Sequence, residues 1–310
     1  MTSAILPPLP VQPPGVDWPT LRWSRGPLPP SVDAERLARL IDRGFTDFEE
    51  THAVVVVQGG RLVLDRYGPA HGPGATCLSW SMAKSITHAL VGIAVGDGLL
   101  DIMAPAPVPE WRSPGDPRGA ITTDQLLRMS SGLRFSEVYE PDKPSDTIEM
   151  MWGSGKADVA GLRGEAFAAF MRERLFKPLG MRTPVPKFDP AGTFIGSSFC
   201  FASGQDFARF GLLYLRDGVW NGRRLLPEGW VVYARTRTFQ QAGVTDDPYG
   251  AHWWLGLGGE GSFSANGHEG QFTLLAPDLD LIIVRHGRTG AALKDALKVW
   301  MGEMAAAFRT

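Results

Sequence analysis

The run Ala53–Val57 constrains the fold most, because its letters AVVVV give a strand no polar side. A strand with one face in water alternates apolar and polar residues, so this run predicts a strand covered on both faces. The turn-forming residues Gln58-Gly59-Gly60 follow, and a second β-rich run, RLVLDRY, comes directly after them. The two runs predict a hairpin within a sheet that has packed layers on both sides.

Helices are predicted after and before this hairpin. In SVDAERLARLIDRGF, Ser31 or Asp33 can cap a helix whose leucines share one face. Helical spacing starts again at Trp80, in SMAKSITHALVGIAVGDG, where the glycines are expected to end the helix. Further predicted helices are TTDQLLRMSSGL, capped by Thr122 or Thr123, EAFAAFMRERLFKPLGM, ended by Pro178 and Gly180, and SGQDFARFGLLYL, capped by Ser203.

Strand patterns return near the C-terminus. HWWLGLG, SFSANGHEG and FTLLAPDLDLIIVRHG predict short strands, and AALKDALKVWMGEMAAAF predicts a final amphipathic helix. This order predicts an α+β fold, with an antiparallel sheet flanked by terminal helices and an inserted all-helical domain. We expect residues 1–31 to form a proline-rich N-terminal arm, 32–76 and 185–310 the sheet domain, and 77–184 the helical domain.

The composition argues against several classes of function. The net charge is -2 at pH 7 and basic residues form no block, which argues against a nucleic-acid partner. No stretch approaches the roughly 18 apolar residues of a membrane span, and the first residues lack the pattern of a signal peptide. Cys77 and Cys200 are expected to be free buried thiols rather than a disulfide. Together these features predict a cytoplasmic protein without a membrane partner.

The stretch WSMAKS contains the chain's only Ser-x-x-Lys, formed by Ser81 and Lys84. Residues three apart on a helix lie on the same face. A serine hydroxyl needs a nearby base to act as a nucleophile, and a desolvated lysine can lose its proton and be that base. The unpaired amides at a helix start could also hold an oxyanion. The alternative is structural: an N-cap serine followed by a solvated lysine.

Several ordered blocks follow WSMAKS. They are GLLD, ITTDQLLRMSSGL, RFSEVYEP, FARFGLLYLRDGVWNGRRLLPEGWV, Trp253-Trp254 and GHEGQFTLLAPDLDLIIV. From about residue 30 to the end, the chain resembles the serine β-lactamase-like superfamily. This superfamily includes class C β-lactamases, penicillin-binding proteins, lactamase-like esterases and 6-aminohexanoate-dimer hydrolases, and the last branch looks most similar. The resemblance implies a β-lactamase/transpeptidase-like fold.

The resemblance also implies catalytic roles for individual residues. Ser81 would be the acylated nucleophile and Lys84 its base. Tyr139 matches a tyrosine that helps to protonate the leaving nitrogen in the amide-hydrolysing branch. His268 begins the family's third motif, expected on an inner strand, and would bind or orient the substrate.

Further positions would shape the site around the bound substrate. By the same resemblance, the backbone amides of Ser81 and Gln271 would form the oxyanion hole. Gly267 and Gly270 would let the substrate approach the strand closely. Glu269, in the middle of the third motif, receives no role.

The chain departs from the family pattern at its second motif. A Tyr-x-Asn or Tyr-Ser-Ser-like element is expected after Tyr139, but none of the five tyrosines is followed by such residues. Relative to the family, a few tens of residues are also missing near Ala160–Glu165, so we expect a shortened helical domain. General acid-base help is worth roughly a hundred- to ten-thousandfold in rate, so turnover is expected to suffer.

The sequence thus predicts a serine hydrolase that cleaves small esters or amides through an acyl-serine intermediate, without a cofactor. The alternative is a catalytically impaired protein of this fold that binds an acyl or peptide-like ligand because the second motif is missing. The histidines outside the third motif are scattered and show no metal-ligand spacing, so no metal site is expected. The sequence leaves open whether the protein forms a homo-oligomer.

Overall fold

The computed structural model describes residues 6–139, 143, 145–152, 164–238 and 248–309. The strands are β1 Glu50–Gln58, β2 Arg61–Tyr67, β3 Thr76–Cys77, β4 Val185–Pro186, β5 Cys200–Ser203, β6 Val219–Trp220, β7 Arg223–Arg224, β8 Trp254–Leu255, β9 Phe263–Gly267, β10 Gln271–Ala276 and β11 Leu281–Arg288. The helices are α1 Ala34–Thr46, α2 Met82–Gly96, α3 Thr123–Leu127, α4 Asp146–Trp152, α5 Gly164–Met171, α6 Lys177–Leu179, α7 Gly204–Leu215, α8 Trp230–Arg235 and α9 Lys294–Ala306.

Six strands in the described part of the chain form one antiparallel sheet, in the order β2-β1-β11-β10-β9-β8. The predicted hairpin is β1 and β2, with its turn at Gly59-Gly60. The valines Val54 to Val57 of β1 are all 0% exposed, which confirms a strand covered on both faces.

The two faces of the sheet carry different layers. Val54 and Val56 pack in a core with α1 and α9, where the indole of Trp300 donates to the Leu40 carbonyl at 2.7 Å. Val55 and Val57 pack in a second core with residues of α2 and α7, among them Met82. Alternate side chains of a strand point to opposite faces, so one run of valines serves both cores. The predicted α+β fold with terminal helices on an antiparallel sheet is confirmed.

The structure shows which of the candidate residues cap the predicted helices. Asp33, not Ser31, caps α1 by accepting from the Arg36 amide, and Thr122 caps α3 in a capping box. Ser203 caps α7 as predicted.

The expected stop at Pro178 is wrong. Helix α5 continues through a π-helical turn, Arg172–Phe176, into α6, which contains Pro178, and the helix ends at Gly180 with φ 71°. A π turn shifts the hydrogen-bond pattern by one residue. Pro178 lies near the start of the segment after this turn, where its missing N–H leaves no hydrogen bond unmade.

The N-terminal arm lies extended against the body of the protein, and buried arginines hold it there. Arg209 donates to the Pro19 carbonyl at 2.7 Å, and Arg235 donates to the Pro7 carbonyl at 2.6 Å. An extended segment outside a sheet leaves some backbone carbonyls without partners, and these guanidinium groups satisfy two of them.

Two further expectations concern cysteines and membranes. Cys77 and Cys200 are free and buried, on the neighbouring strands β3 and β5, as predicted. Among the described residues, no helix is long and apolar enough to cross a membrane. The predicted division into domains remains a prediction.

Candidate active site

Ser81 and Lys84 meet at the first turn of α2. Ser81 occupies the N-cap position, but its side chain makes no capping bond. Instead, Lys84 Nζ lies 2.9 Å from Ser81 Oγ. Both side chains are partly buried rather than solvated. This geometry favours a nucleophile-base pair over the alternative of a capping serine and an exposed lysine.

The surroundings of Lys84 favour its neutral form. Its Nζ also donates to the Ser197 carbonyl at 3.1 Å, and in the described part of the chain it forms no ion pair. Burial lowers the pKa of Lys84, and the charge of Glu137 opposes this effect. A lysine with a lowered pKa has a larger neutral fraction near neutral pH, so it can accept the proton of Ser81.

The turn before Ser81 is conformationally strained. Trp80 has φ 45°, in the left-handed region that a bulky side chain rarely adopts. Gly267 of β9 packs against this turn so closely that a Cβ there would stand 2.3 Å from the Ser79 carbonyl. The structure thus explains Gly267 by contact with the chain itself, whereas the sequence predicted close approach of a substrate.

The start of α2 offers a donor for an oxyanion. The amides of Met82, Ala83 and Lys84 are bonded to carbonyls of residues 79–81. No acceptor in the described residues takes the Ser81 amide, which lies at the positive end of the helix dipole. The Ser81 amide is therefore available to an oxyanion among the described residues, and its role there remains a prediction.

Gln271, which was predicted to form the oxyanion hole with Ser81, lies within the sheet rather than at a helix start. Its side chain is buried and donates to the Gly287 carbonyl of β11 at 2.5 Å. Its backbone pairs with Gly267 at the β9–β10 ladder. The structure gives Gln271 a role in holding the sheet, and its amide in the oxyanion hole remains a prediction.

Three aromatic rings contact one another next to Ser81, and one of them belongs to Trp80, the residue before it. The His268 and Tyr139 rings are stacked with centroids 4.3 Å apart, and Trp80 meets His268 edge-on at 5.2 Å. His268 is exposed, and the partial burial of its imidazole lowers its pKa. The structure thus places His268 and Tyr139 beside the turn that carries Ser81, in an aromatic cluster, the rim, that they form with Trp80.

The third motif is not on a strand as expected. His268–Gly270 form a 3-10 turn between β9 and β10, with Glu269 at φ 57°. At Gly270 φ is 79°, and a Cβ there would meet Leu297 and Arg285. The turn forms because two consecutive residues adopt positive φ, which reverses the chain between antiparallel strands. A binding role for Gly270 remains a prediction.

Tyr139 lies near the pair, but its hydroxyl is engaged elsewhere. It donates to Glu137 at 2.8 Å, and burial together with this bond raises the pKa of Tyr139. A phenol in this state holds its proton firmly. Tyr139 is therefore placed at the site without the bond to Ser81 or Lys84 that a proton relay would show.

Several residues that contact or influence the site were not predicted from the sequence. Glu137 affects both Lys84 and Tyr139, and Ser197 supplies a carbonyl from far along the chain. Glu269, which was given no role, accepts from the Trp80 indole at 3.2 Å. Nothing in the local pattern identifies Ser197, whereas Glu137 could have been suspected from its position two residues before Tyr139.

Two further observations concern Trp253 and the shortened helical domain. Trp253 is 0% exposed and packs against Tyr214 and Phe263, so it belongs to the core. The predicted deletion near Ala160–Glu165 lies largely outside the described residues, since residues 153–163 are not described.

The chain matches a known family and a known relative over most of its length. A family model described as Beta-lactamase matches residues 45–287. The chain is 25% identical to the 6-aminohexanoate-dimer hydrolase of Paenarthrobacter ureafaciens, over 84% of this chain and 80% of that protein.

Solved structures show the same fold. One, from Bacillus anthracis, carries the provisional name 6-aminohexanoate-dimer hydrolase; it has a TM-score of 0.68 at 20% identity and covers 97% of this chain and 90% of its own. A family VIII carboxylesterase has a TM-score of 0.65 at 14% identity and covers 92% of this chain and 99% of its own.

Proposed function

The chain belongs to the beta-lactamase family, and from this premise we propose that it is a serine hydrolase of small esters or amides. The observation that carries the proposal is the 2.9 Å contact between Ser81 Oγ and the partly buried Lys84 Nζ. Hydrolase chemistry is supported by the match to a 6-aminohexanoate-dimer hydrolase. Ester cleavage is supported by the likeness in fold to a carboxylesterase.

The first half of the reaction is acylation of Ser81. Neutral Lys84 takes the hydroxyl proton as Ser81 Oγ attacks the substrate carbonyl carbon, and the carbonyl oxygen becomes an oxyanion. The free Ser81 amide and the helix dipole stabilise this oxyanion. The bond to the leaving group then breaks, Lys84 returns the proton to that group, and acyl-Ser81 remains.

The second half releases the acyl group. A water molecule gives one proton to neutral Lys84 and attacks the acyl carbon. The resulting oxyanion collapses, the bond to Ser81 Oγ breaks, and Lys84 returns the proton to that oxygen. The products are a carboxylic acid and the free enzyme with neutral Lys84.

The leaving group decides what the rest of the site must supply. A good leaving group, such as a phenolate, departs without a proton, and Lys84 then loses its proton to solvent before the second half, whereas an amine must be protonated as it leaves. For amides, Tyr139 at the rim is the proposed relay, which gives its proton to the leaving nitrogen and regains one from protonated Lys84. Because its hydroxyl bonds to Glu137, it would have to turn from that carboxylate toward the leaving nitrogen. We therefore propose faster turnover of activated esters than of amides.

The test is labelling with a fluorophosphonate, followed by intact mass and peptide mapping. We expect one adduct per chain, on Ser81, together with hydrolysis of short p-nitrophenyl esters. Ser85 is a matched control because it lies one turn further along α2, with its hydroxyl bonded to the His252 carbonyl at 2.7 Å. Ser85→Ala should still be labelled, and Ser81→Ala should not. An unlabelled, folded wild-type protein would refute the proposal.

A second candidate is binding of an acyl or peptide-like ligand with little turnover. The bond of the Tyr139 hydroxyl to Glu137, away from Ser81 and Lys84, favours it. This candidate predicts that the fluorophosphonate adduct forms while ester substrates leave a stable acyl-Ser81. Intact mass after ester treatment distinguishes the two, since a true hydrolase returns to its free mass.

A further inference from the structure

A second cluster of reactive side chains lies on the sheet side of the segment that leads to Ser81. It comprises His52 of β1, His71 of the loop after β2, and Cys77 of β3. One ligand atom of each residue lies within 4.8 Å of those of the other two. The sequence separations follow no metal-binding motif, so the cluster arises only because strands and loop meet in the fold.

The distances suit a single metal ion. Cys77 Sγ lies 3.8 Å from His52 Nδ1, and the two imidazole rings are stacked with centroids 4.0 Å apart. Tetrahedral zinc holds sulfur at about 2.3 Å and nitrogen at about 2.0 Å, which places the ligand atoms about 3.5 Å from one another. The ligand atoms can reach this spacing by a movement of about an ångström. One imidazole must also rotate out of the stack, because a ring nitrogen binds a metal in the plane of its ring.

A carboxylate orients one of the imidazoles. His52 Nε2 lies 3.1 Å from Glu50 Oε1, which leaves Nδ1 directed toward Cys77. Metal-binding histidines commonly donate their other ring N–H to a carboxylate in this way. Burial raises the pKa of the Cys77 thiol to about 11, and the charge of the Arg285 guanidinium opposes this effect. The Arg285 charge also opposes a cation at the cluster, whereas the Glu50 carboxylate attracts one.

We propose that His52, His71 and Cys77 bind a zinc ion, with water as the fourth ligand and Glu50 as the group that orients His52. On binding, the thiol proton of Cys77 passes to solvent and a Zn–S bond forms. Imidazole and thiolate are ligands that zinc accepts readily. The ion joins β1, the 68–75 loop and β3 just ahead of WSMAKS, and so fixes the segment that carries the nucleophile.

The experiment is zinc titration of untagged, chelator-treated protein by calorimetry, with Co²⁺ as a spectroscopic probe. We expect one zinc per chain and, with Co²⁺, a thiolate charge-transfer band in the near ultraviolet. Cys77→Ser should lose the band and weaken binding at least about tenfold. Cys200→Ser is the matched control, because it removes the other buried thiol and should change neither result.

Two further variants guard against misfolding of Cys77→Ser. His71 lies in a loop and is only partly buried, so His71→Ala should fold and lose zinc binding. Glu50→Gln should weaken binding about ten- to a hundredfold without removing a ligand. Zinc should raise the Tm of the wild type and of Cys200→Ser, but not of His71→Ala. Absence of stoichiometric binding by the wild type, or equal binding by His71→Ala, would overturn the proposal.

Discussion

Two polar clusters lie at either end of the segment from Cys77 to Lys84, and they are built in opposite ways. Ser81 and Lys84 come from one turn of one helix and meet at 2.9 Å. His52, His71 and Cys77 come from two strands and a loop of the sheet domain. The first cluster needs only a helix start, whereas the second needs the register of β1 and the pairing of β3.

The proximity of Ser81 to Lys84 and the reactivity of the pair have different origins. Helix spacing alone puts Ser81 beside Lys84. The lowered pKa of Lys84, however, comes from burial, to which the distant Ser197 contributes. Even the local cluster thus depends on tertiary packing for its chemistry, and the following predictions separate the two contributions.

The largest effect is expected from Ser81→Ala. The variant removes the nucleophile but no packing contact of the core, so ester hydrolysis should fall at least about a thousandfold. Its Tm should stay close to that of the wild type. Steady-state kinetics and a thermal melt measure both quantities, and retention of ester hydrolysis would mean that the proposed local cluster is not the catalytic one.

Lys84→Met should lower kcat/KM for esters about a hundred- to ten-thousandfold, because Ser81 loses its general base. Lys84→Arg provides the sharper comparison. Arginine keeps the positive charge but does not lose its proton in proteins, so it should be nearly as impaired. Wild-type rates in Lys84→Arg would show that charge, rather than proton transfer, is what the lysine contributes.

Tyr139→Phe should act selectively. If the hydroxyl protonates a leaving nitrogen, amide hydrolysis should fall about a hundredfold, and p-nitrophenyl ester hydrolysis should change little. The ratio of the two kcat/KM values is the measurement. Equal loss on both substrates would instead assign Tyr139 to shaping the rim with His268.

The pH dependence tests the environment of Lys84. Only neutral Lys84 can accept a proton, so kcat/KM should rise with pH as Lys84 deprotonates. Since burial lowers its pKa, this rise should be centred below the ordinary lysine value of 10.5. A pH-stat assay measures it without relying on a coloured leaving group. A rise at the ordinary value would show that packing does not activate the pair.

The smallest effect concerns stability. Burial holds the pKa of His252 at about 4, and that of His88 well below the ordinary 6.5. In this range both histidines bind protons in the unfolded chain but not in the native state, so stability is lost as pH falls from about 6.5 toward 4. Each histidine contributes a slope of up to about 1.4 kcal/mol per pH unit. His88→Gln should reduce the dependence of denaturant unfolding on pH, and an unchanged slope would argue against this origin.

Much of the fold could be predicted because its patterns are local. The valine run of β1, the hairpin glycines and the cap Ser203 all act within a few residues. For α1 and α3 the sequence left two candidate caps each, and the structure selected Asp33 and Thr122. Two predictions were wrong where the backbone departs from regular geometry. Pro178 does not end its helix because a π turn precedes it, and His268–Gly270 form a turn because of positive φ values at Glu269 and Gly270.

By itself, the sequence predicted the α+β architecture and placed Ser81 and Lys84 on one helix face, because hydrophobic periodicity and helix spacing depend on neighbours along the chain. Its ordered motifs carried the resemblance to the family. Only the tertiary structure decided that Lys84 is buried beneath the Ser197 carbonyl and that Tyr139 bonds to Glu137 at the rim. It also decided that His52, His71 and Cys77 converge. Burial and charge are set by whatever packs against a residue, and those partners lie far away in sequence.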